Sequence, residues 1–436
     1  MTALEKLGAF VATHIPNESA CADARLHAAD AIGAWIAATA TKEGRLLLGF
    51  RQPGATLPDQ VAINCALARL SEVDDIHLGS MVTPGAIVVP AALTIAAAMP
   101  DLEKDELAAA IIAGYEAMIR LGAAIDGPSV LYRGIWPTYF AAPFGVAAAA
   151  ARLMRLSTEQ TANALSIALI SASPGTGHHA ATTTARWLAV GYAAARGLQA
   201  AIAAGAGFTS DLKIADGEFL KNIYGVTPNA ALLSDGWGTP ALSQTSFKPW
   251  CAARQTMAAT QALKELMAEG ITLDSIVRIG VAVLPPHLKM IDHGVTMGDR
   301  FSQLTSVQYQ MAVAAIAPDM AYGLTAPPGP TSPDLLFFME RIKVRAEDSL
   351  LTAGYPQAWP AHVTVTTRAK RHERGVVHVP GDPAMPFGEE GLKAKFLPVL
   401  APALKNESAE SAFALALRGI DDPVGTLGEI DRLASL

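Results

Sequence analysis

Glu72, Asp74, Asp75 and His77 crowd three carboxylates and an imidazole into one short stretch of the chain. Carboxylates that close repel one another, which tends to raise at least one pKa toward neutrality and makes it a candidate acid or base. His77 is the group able to share or relay that proton near pH 7. The bland reading of the same residues is an acidic helix end in contact with water. Acid–base chemistry on an anionic substrate also needs cations, which hold the substrate and stabilise developing negative charge. Lys248 and Arg254 stand at an expected loop-to-helix entry, where backbone N–H groups also favour anions. Arg186 opens another expected helix. A guanidinium grips a carboxylate bidentately and lysine acts as a point charge, although solvated surface charge is the ordinary fate of either alone. Tyr309 is a candidate donor to a substrate oxygen or, on pattern alone, a core aromatic with a satisfied hydroxyl.

Other reactive residues lead less far. His178 and His179 follow Pro174-Gly175-Thr176-Gly177, a glycine-rich turn carrying a histidine pair that can face a pocket. No third ligand stands at useful spacing, so no metal is expected. The turn lacks a P-loop or dinucleotide pattern, so no nucleotide is expected either. The three cysteines, Cys21, Cys65 and Cys251, are an odd number without metal-ligand spacing and read as free thiols in a reducing compartment. Cys251 has only Arg254 nearby to lower its pKa, so a buried structural thiol is expected there.

The elements that must position these groups follow from composition and pattern. A chain of 436 residues is too long for one ordinary core. With 51% hydrophobic and 17% charged residues it has ample apolar surface to bury. Alanine runs such as Ala147 to Ala151 favour closely packed helices. From Ser19 to about Gly207 the pattern is helix after helix. Asp101 is the expected cap of a helix reaching Leu121 and stopped by Gly122, and Ser157 with Gln160 forms a capping-box signature. Beyond Gly238 the character changes. Ser275–Leu284, Arg341–Val344, Val363–Thr367 and Gly375–Val379 read as strands, the last two as a hairpin joined by the charged Arg368–Arg374. Helical pattern returns from Glu389. The expected architecture is mainly α: a large all-helical domain of residues 1–242 and 388–436 carrying a smaller α+β lid domain of residues 243–387.

Net charge of −7 without a basic stripe argues against nucleic acid. The N-terminus shows no basic-then-apolar leader, and the apolar stretch Pro84 to Pro100 is interrupted by proline and too short for a bilayer. A cytoplasmic protein that does not engage membranes is expected.

Between Asn64 and Pro90 the order Asn64-Cys65, Ala68-Arg69, Glu72-Val73-Asp74-Asp75-Ile76, Thr83-Pro84-Gly85 and Pro90-Ala91-Ala92-Leu93 is distinctive. Further along come Arg133-Gly134-Ile135-Trp136-Pro137-Thr138, Arg186 to Gly197, Lys248-Pro249 through Arg254 and Thr256, Gln308-Tyr309, the expected hairpin, Gly381-Asp382-Pro383 and Lys395-Phe396. Together this set resembles the MmgE/PrpD family. There the corresponding stretches are Asn-Gly, Ala-His, Asp-Phe-Asp-Asp-Thr, His-Pro, Arg-Gly-Phe-His-Pro-Thr, Lys-x-x-His-x-Gly and Lys-Pro…Cys-Arg-x-Thr-His. The resemblance implies a homodimer, working without a cofactor, that binds a small carboxylic acid between helical body and lid. Its implied chemistry is proton transfer beside a carboxylate: dehydration, decarboxylation or epimerisation. On it, Glu72, Asp74, Asp75, His77, Lys248 and Tyr309 are the catalytic candidates. Arg69, Thr83, Trp136, Tyr139, His178, His179, Arg186 and Arg254 are the substrate-binding candidates.

The departures from the family pattern fall on those same positions. Arg69, Thr83, Trp136 and Met257 stand where the family has histidines, Glu72 where it has aspartate, Ile76 for threonine and Arg186 for lysine. A site that is partly apolar yet still cationic is expected, with a substrate other than 2-methylcitrate or cis-aconitate. The lost histidines also admit a second reading, an inactive homologue with a binding or regulatory role.

Overall fold

In a computed structural model the chain is described over residues 1–99, 102–103, 105–173, 183–296, 299–324, 332–404 and 408–435. Those residues form twenty α-helices, several short 3-10 turns and one four-stranded sheet, a mainly α fold with a small α+β part. By their contacts they divide into two units. The first is built from Met1–His178, Thr184–Phe247 and Gly388–Leu436, the second mainly from Lys248–Phe387.

The first unit is a stack of helices whose small residues permit close approach. Pro137–Leu153 packs on Glu106–Ala124 and Ala185–Gly205, and Ala185–Gly205 packs in turn on Leu57–Leu70. Ala147 to Ala151 are completely buried. At Gly191 a β-carbon would stand 2.2 Å from the Ala62 carbonyl oxygen, so these two helices meet backbone to backbone and only glycine fits. The capping box at Ser157 forms as the spacing predicts, the hydroxyl accepting from the Gln160 N–H and the Gln160 side chain from the Ser157 N–H.

One helix departs from expectation at both ends. It starts at Glu106 behind Asp105, whose φ is +68°, and runs past Gly122 to Ala124; Asp101 lies outside the described residues. Gly122 does not stop it because that position faces the Ser80 carbonyl, where a β-carbon would come within 2.9 Å. The same helix is long and apolar enough to cross a membrane by length and composition, but 94% of its apolar window is buried inside the protein. It also carries a buried ion pair, Glu116 Oε1 to Arg120 Nε at 2.8 Å. Glu116 accepts a further bond from the Ala241 N–H, and Arg120 donates to the carbonyls of Leu232, Asp235 and Gly236.

In the second unit the strands are β1 (Ile276–Val283), β2 (Ile342–Ala346), β3 (Ala361–Thr367) and β4 (Arg371–Val376), in the order β2-β1-β3-β4. β1 runs parallel to β2 and antiparallel to β3, and β3 and β4 form the hairpin. Ile279, Val281 and Val283 of β1 and Val363 and Val365 of β3 enter one core with Arg254–Ala268 and Val307–Ile316. The hairpin is tighter than expected. Arg371 to Arg374, taken from their charge for connection, lie within β4. An edge strand with one solvated face carries charge on that face at no desolvation cost, so charge did not mark a loop.

Candidate active site

The chemically dense stretch begins where the Leu57–Leu70 helix ends. That helix is fixed at its start by a Thr56–Asp59 capping box, and every residue from Val61 to Leu70 is buried. Ser71 closes it, and Glu72 then takes φ +60°, the left-handed region usually left to glycine. A side chain there costs about 1 kcal/mol or more, so the neighbours must hold it. They do. Arg69, one turn earlier, reaches Glu72 Oε2 at 3.0 Å and Asp74 Oδ1 at 3.3 Å. Burial alone would push the Arg69 guanidinium down, but Asp74 and Glu72 hold it above its ordinary value.

This corrects one expectation. The carboxylates are not left to repel one another, because the arginine standing at the family's histidine position bridges two of them. All three carboxylates are buried, so the water-exposed helix end is excluded as well.

Asp75 has a different environment. Its Oδ1 accepts from the Gly85 N–H at 2.8 Å, and its Oδ2 lies 2.6 Å from the donating Tyr115 hydroxyl and 2.7 Å from His27 Nδ1. Burial and then Asp75 raise the Tyr115 phenol well above its ordinary value, keeping the proton on the donor. His27 stacks on Phe247 with ring centroids 4.3 Å apart. Both oxygens of Asp75 are thus engaged within one buried hydrogen-bond network. The backbone between Glu72 and Asp74 is tied separately: Lys395 donates to the Val73 carbonyl at 2.8 Å and to Asp30. Burial raises the Asp30 carboxyl to about 6, against the pull of Lys395. Isolated bridges then clamp the chain beyond, Ile76 to Ser246 and His77 to Val82.

His77 makes no hydrogen bond to the three carboxylates among the described residues. Its Nδ1 accepts from the Ser80 N–H at 3.2 Å and lies 2.8 Å from Ser80 Oγ, which places the ring proton on Nε2. Burial, opposed by Asp75, lowers it to about 4. In the second unit His287 is lowered to about 3 by burial and then by Arg254. Both values lie below the ordinary 6.5, so the stability these neutral rings contribute is complete above pH 6.5 and lost as pH falls through 4 and 3. Asp30 has the opposite sign, since its raised carboxyl contributes stability that is lost as pH rises from 3.8 through about 6. We expect His77→Gln to flatten the acid side of the stability curve by about 3 kcal/mol between pH 6.5 and 4. Urea denaturation at several pH values checks this; a parallel curve for the variant would exclude His77 as a cause.

The first unit gathers several more of the expected residues. Tyr139 lies close enough to Arg69 for the two to interact electrostatically. Its buried hydroxyl has no hydrogen-bond partner among the described residues. Trp136 meets the Tyr139 ring edge-on at 5.8 Å, and the buried Arg186 guanidinium stands 5.3 Å over Trp136 and 4.8 Å over Trp187. Thr83 is buried against Thr138, its N–H donating to Thr138 Oγ1 at 3.1 Å. Glu72, Asp74, Arg69, Tyr139, Trp136 and Arg186 thus form one linked neighbourhood.

Lys248, Arg254 and Tyr309 belong to the second unit, and all three are buried. Arg254 opens its helix as expected and pairs with Asp382 at 2.6 Å. Asp382 Oδ2 also accepts from the Val379 N–H at 2.8 Å, so this pair ties the helix start to the chain after β4. Tyr309 packs in the core of that unit, and burial raises its phenol. Cys251 is buried, with its N–H donating to the Ala321 carbonyl at 3.0 Å. His178 and His179 lie outside the described residues. Sequence reasoning singled out none of His27, Asp30 and Tyr115, and reached Lys395 only as part of the Lys395-Phe396 match to the family pattern.

Residues 5–224 match the MmgE/PrpD N-terminal domain, and residues 250–418 match the MmgE/PrpD C-terminal domain. No curated protein matches the chain.

Proposed function

The chain belongs to the MmgE/PrpD family, and on that footing we propose that it is a lyase or isomerase that moves a proton beside a carboxylate of a small organic acid, without a cofactor. The observation that carries this reading is the buried Glu72–Arg69–Asp74 triad beside the Tyr139 hydroxyl, which has no hydrogen-bond partner among the described residues. Arg69 pairs with both carboxylates and fixes their direction. An ion-paired carboxylate is a weak base, so the substrate proton has to be acidified by a cation on the neighbouring carboxylate. Arg186, braced on Trp136 and Trp187, suits that task. The Tyr139 hydroxyl suits the oxygen on which charge develops. Trp136 supplies an apolar wall, which favours an acid with fewer carboxylates than 2-methylcitrate or cis-aconitate and an apolar part.

Glu72 is the residue we assign as proton acceptor, with Asp74 holding Arg69 from the other side. The same ion pairing favours the second reading, a homologue that binds an acid without turning it over, because it weakens the base. Incubating the protein with small carboxylic acids in D2O separates the two. Deuterium entering the carbon beside the carboxylate, followed by NMR, is the expected result. An acid that raises the melting temperature but gains no deuterium would establish the binding-only reading. Rapid turnover of 2-methylcitrate or cis-aconitate would sink the substrate assignment.

A further inference from the structure

The open face of the sheet in the second unit carries a concentration of positive charge that neither the family chemistry nor the fold requires. Alternation along the strands sends Ile279, Val281, Val363 and Val365 into the core and the intervening side chains outward. The outward set is Arg278 on β1, Lys343 and Arg345 on β2, His362, Thr364 and Thr366 on β3, and Arg371 and Glu373 on β4. All of these except Glu373 line a cavity of about 370 Å³. Its floor is low because β1 supplies Gly280 and Ala282 there: Gly280 pairs with Lys343 on one side and Thr364 on the other, and its missing side chain leaves a trough between them.

Charge bookkeeping in the trough is specific. Arg345 is answered by Glu347, and Arg371 by Glu373 at 2.6 Å. Glu373 also lies 3.8 Å from His362 Nε2. Among the described residues Arg278 and Lys343 have no carboxylate within ion-pair distance, so they leave about two units of positive charge unanswered on a protein of net charge −7. The threonine hydroxyls beside them add donors, and Arg371 Nη2 reaches Thr364 Oγ1 at 3.5 Å across the strand.

We propose that this face binds the dianionic phosphate group of a small phosphomonoester. Its charge matches the pair of unanswered cations. Its peripheral oxygens can accept at once from a guanidinium, an ammonium and hydroxyls arriving from different strands, which a planar carboxylate does less well. The cavity holds a phosphate with a short organic part, whereas a nucleic acid would need a basic surface running well beyond it. The site belongs to the second unit, and the proposal does not depend on the reaction assigned to the Glu72 neighbourhood of the first.

The test is calorimetric titration of the full chain with glycerol phosphate and inorganic phosphate at low ionic strength, with citrate and sulfate as comparison anions. One saturable phosphomonoester site per chain is expected, weakened about tenfold by either Arg278→Glu or Lys343→Glu. Lys42→Glu, the same change of net charge on the first unit, should leave it unaltered. Unchanged melting temperatures keep a folding defect from imitating the loss. The proposal is overturned by absence of saturable binding, by equal weakening in Lys42→Glu, or by binding that Arg278→Glu and Lys343→Glu do not touch. Citrate or sulfate binding as tightly as glycerol phosphate would overturn the phosphate assignment.

Discussion

Asp75→Ala is expected to cost about 3–5 kcal/mol of unfolding free energy, the range for breaking a buried charged network by removing one partner. The change strands the Tyr115 hydroxyl, the His27 ring nitrogen and the Gly85 N–H in a place water does not reach. Tyr115→Phe removes one donor and should cost only about 1–2 kcal/mol, because Asp75 keeps its other partners. Urea denaturation of the two variants beside the parent checks both figures. Loss of less than about 1 kcal/mol in Asp75→Ala would mean that the network is incidental to the fold. The residue would then return to the list of possible bases.

Glu72→Gln should lower the rate of deuterium exchange, or of turnover, by about 100-fold or more while the acid still binds. The amide keeps the size of the side chain and leaves Asp74 to pair with Arg69, so the fold should survive. Arg69→Met is expected to act differently. It leaves Glu72 and Asp74 buried together without their cation, which destabilises the protein and raises their pKa values. Any activity that remained would shift its pH profile to higher pH. A Glu72→Gln enzyme working at the parental rate would remove Glu72 from the mechanism. A pH profile in Arg69→Met identical to the parent would show that Arg69 does not tune the carboxylates.

Where the controlling forces are local, the chain could be read directly. The Ser157–Gln160 box, the β-branched alternation of β1 and the alanine-rich helices all formed as their patterns predict. The density of ionisable groups from Glu72 to His77 marked a segment that the structure holds in a web of buried polar contacts. Errors came where a local pattern has two tertiary outcomes. Gly122 stops a helix in water but admits a close neighbour in a packed stack, and the charges of Arg371 to Arg374 suit either a turn or a solvated strand.

The crowded carboxylates themselves are the clearest division between the two kinds of information. Sequence determined that Glu72, Asp74, Asp75 and His77 would be neighbours and that Arg69 would precede Glu72 by about one helical turn. It did not determine their states. Tertiary structure gave Arg69 to Glu72 and Asp74, closed the oxygens of Asp75 with Tyr115 and His27, and turned His77 toward Ser80. It also brought Lys395 to Asp30 across 365 residues of chain, to hold the backbone of the same loop. Periodicity says which side chains face inward from each element. Which inward faces then meet depends on packing the whole unit, and in a buried site those meetings set every charge.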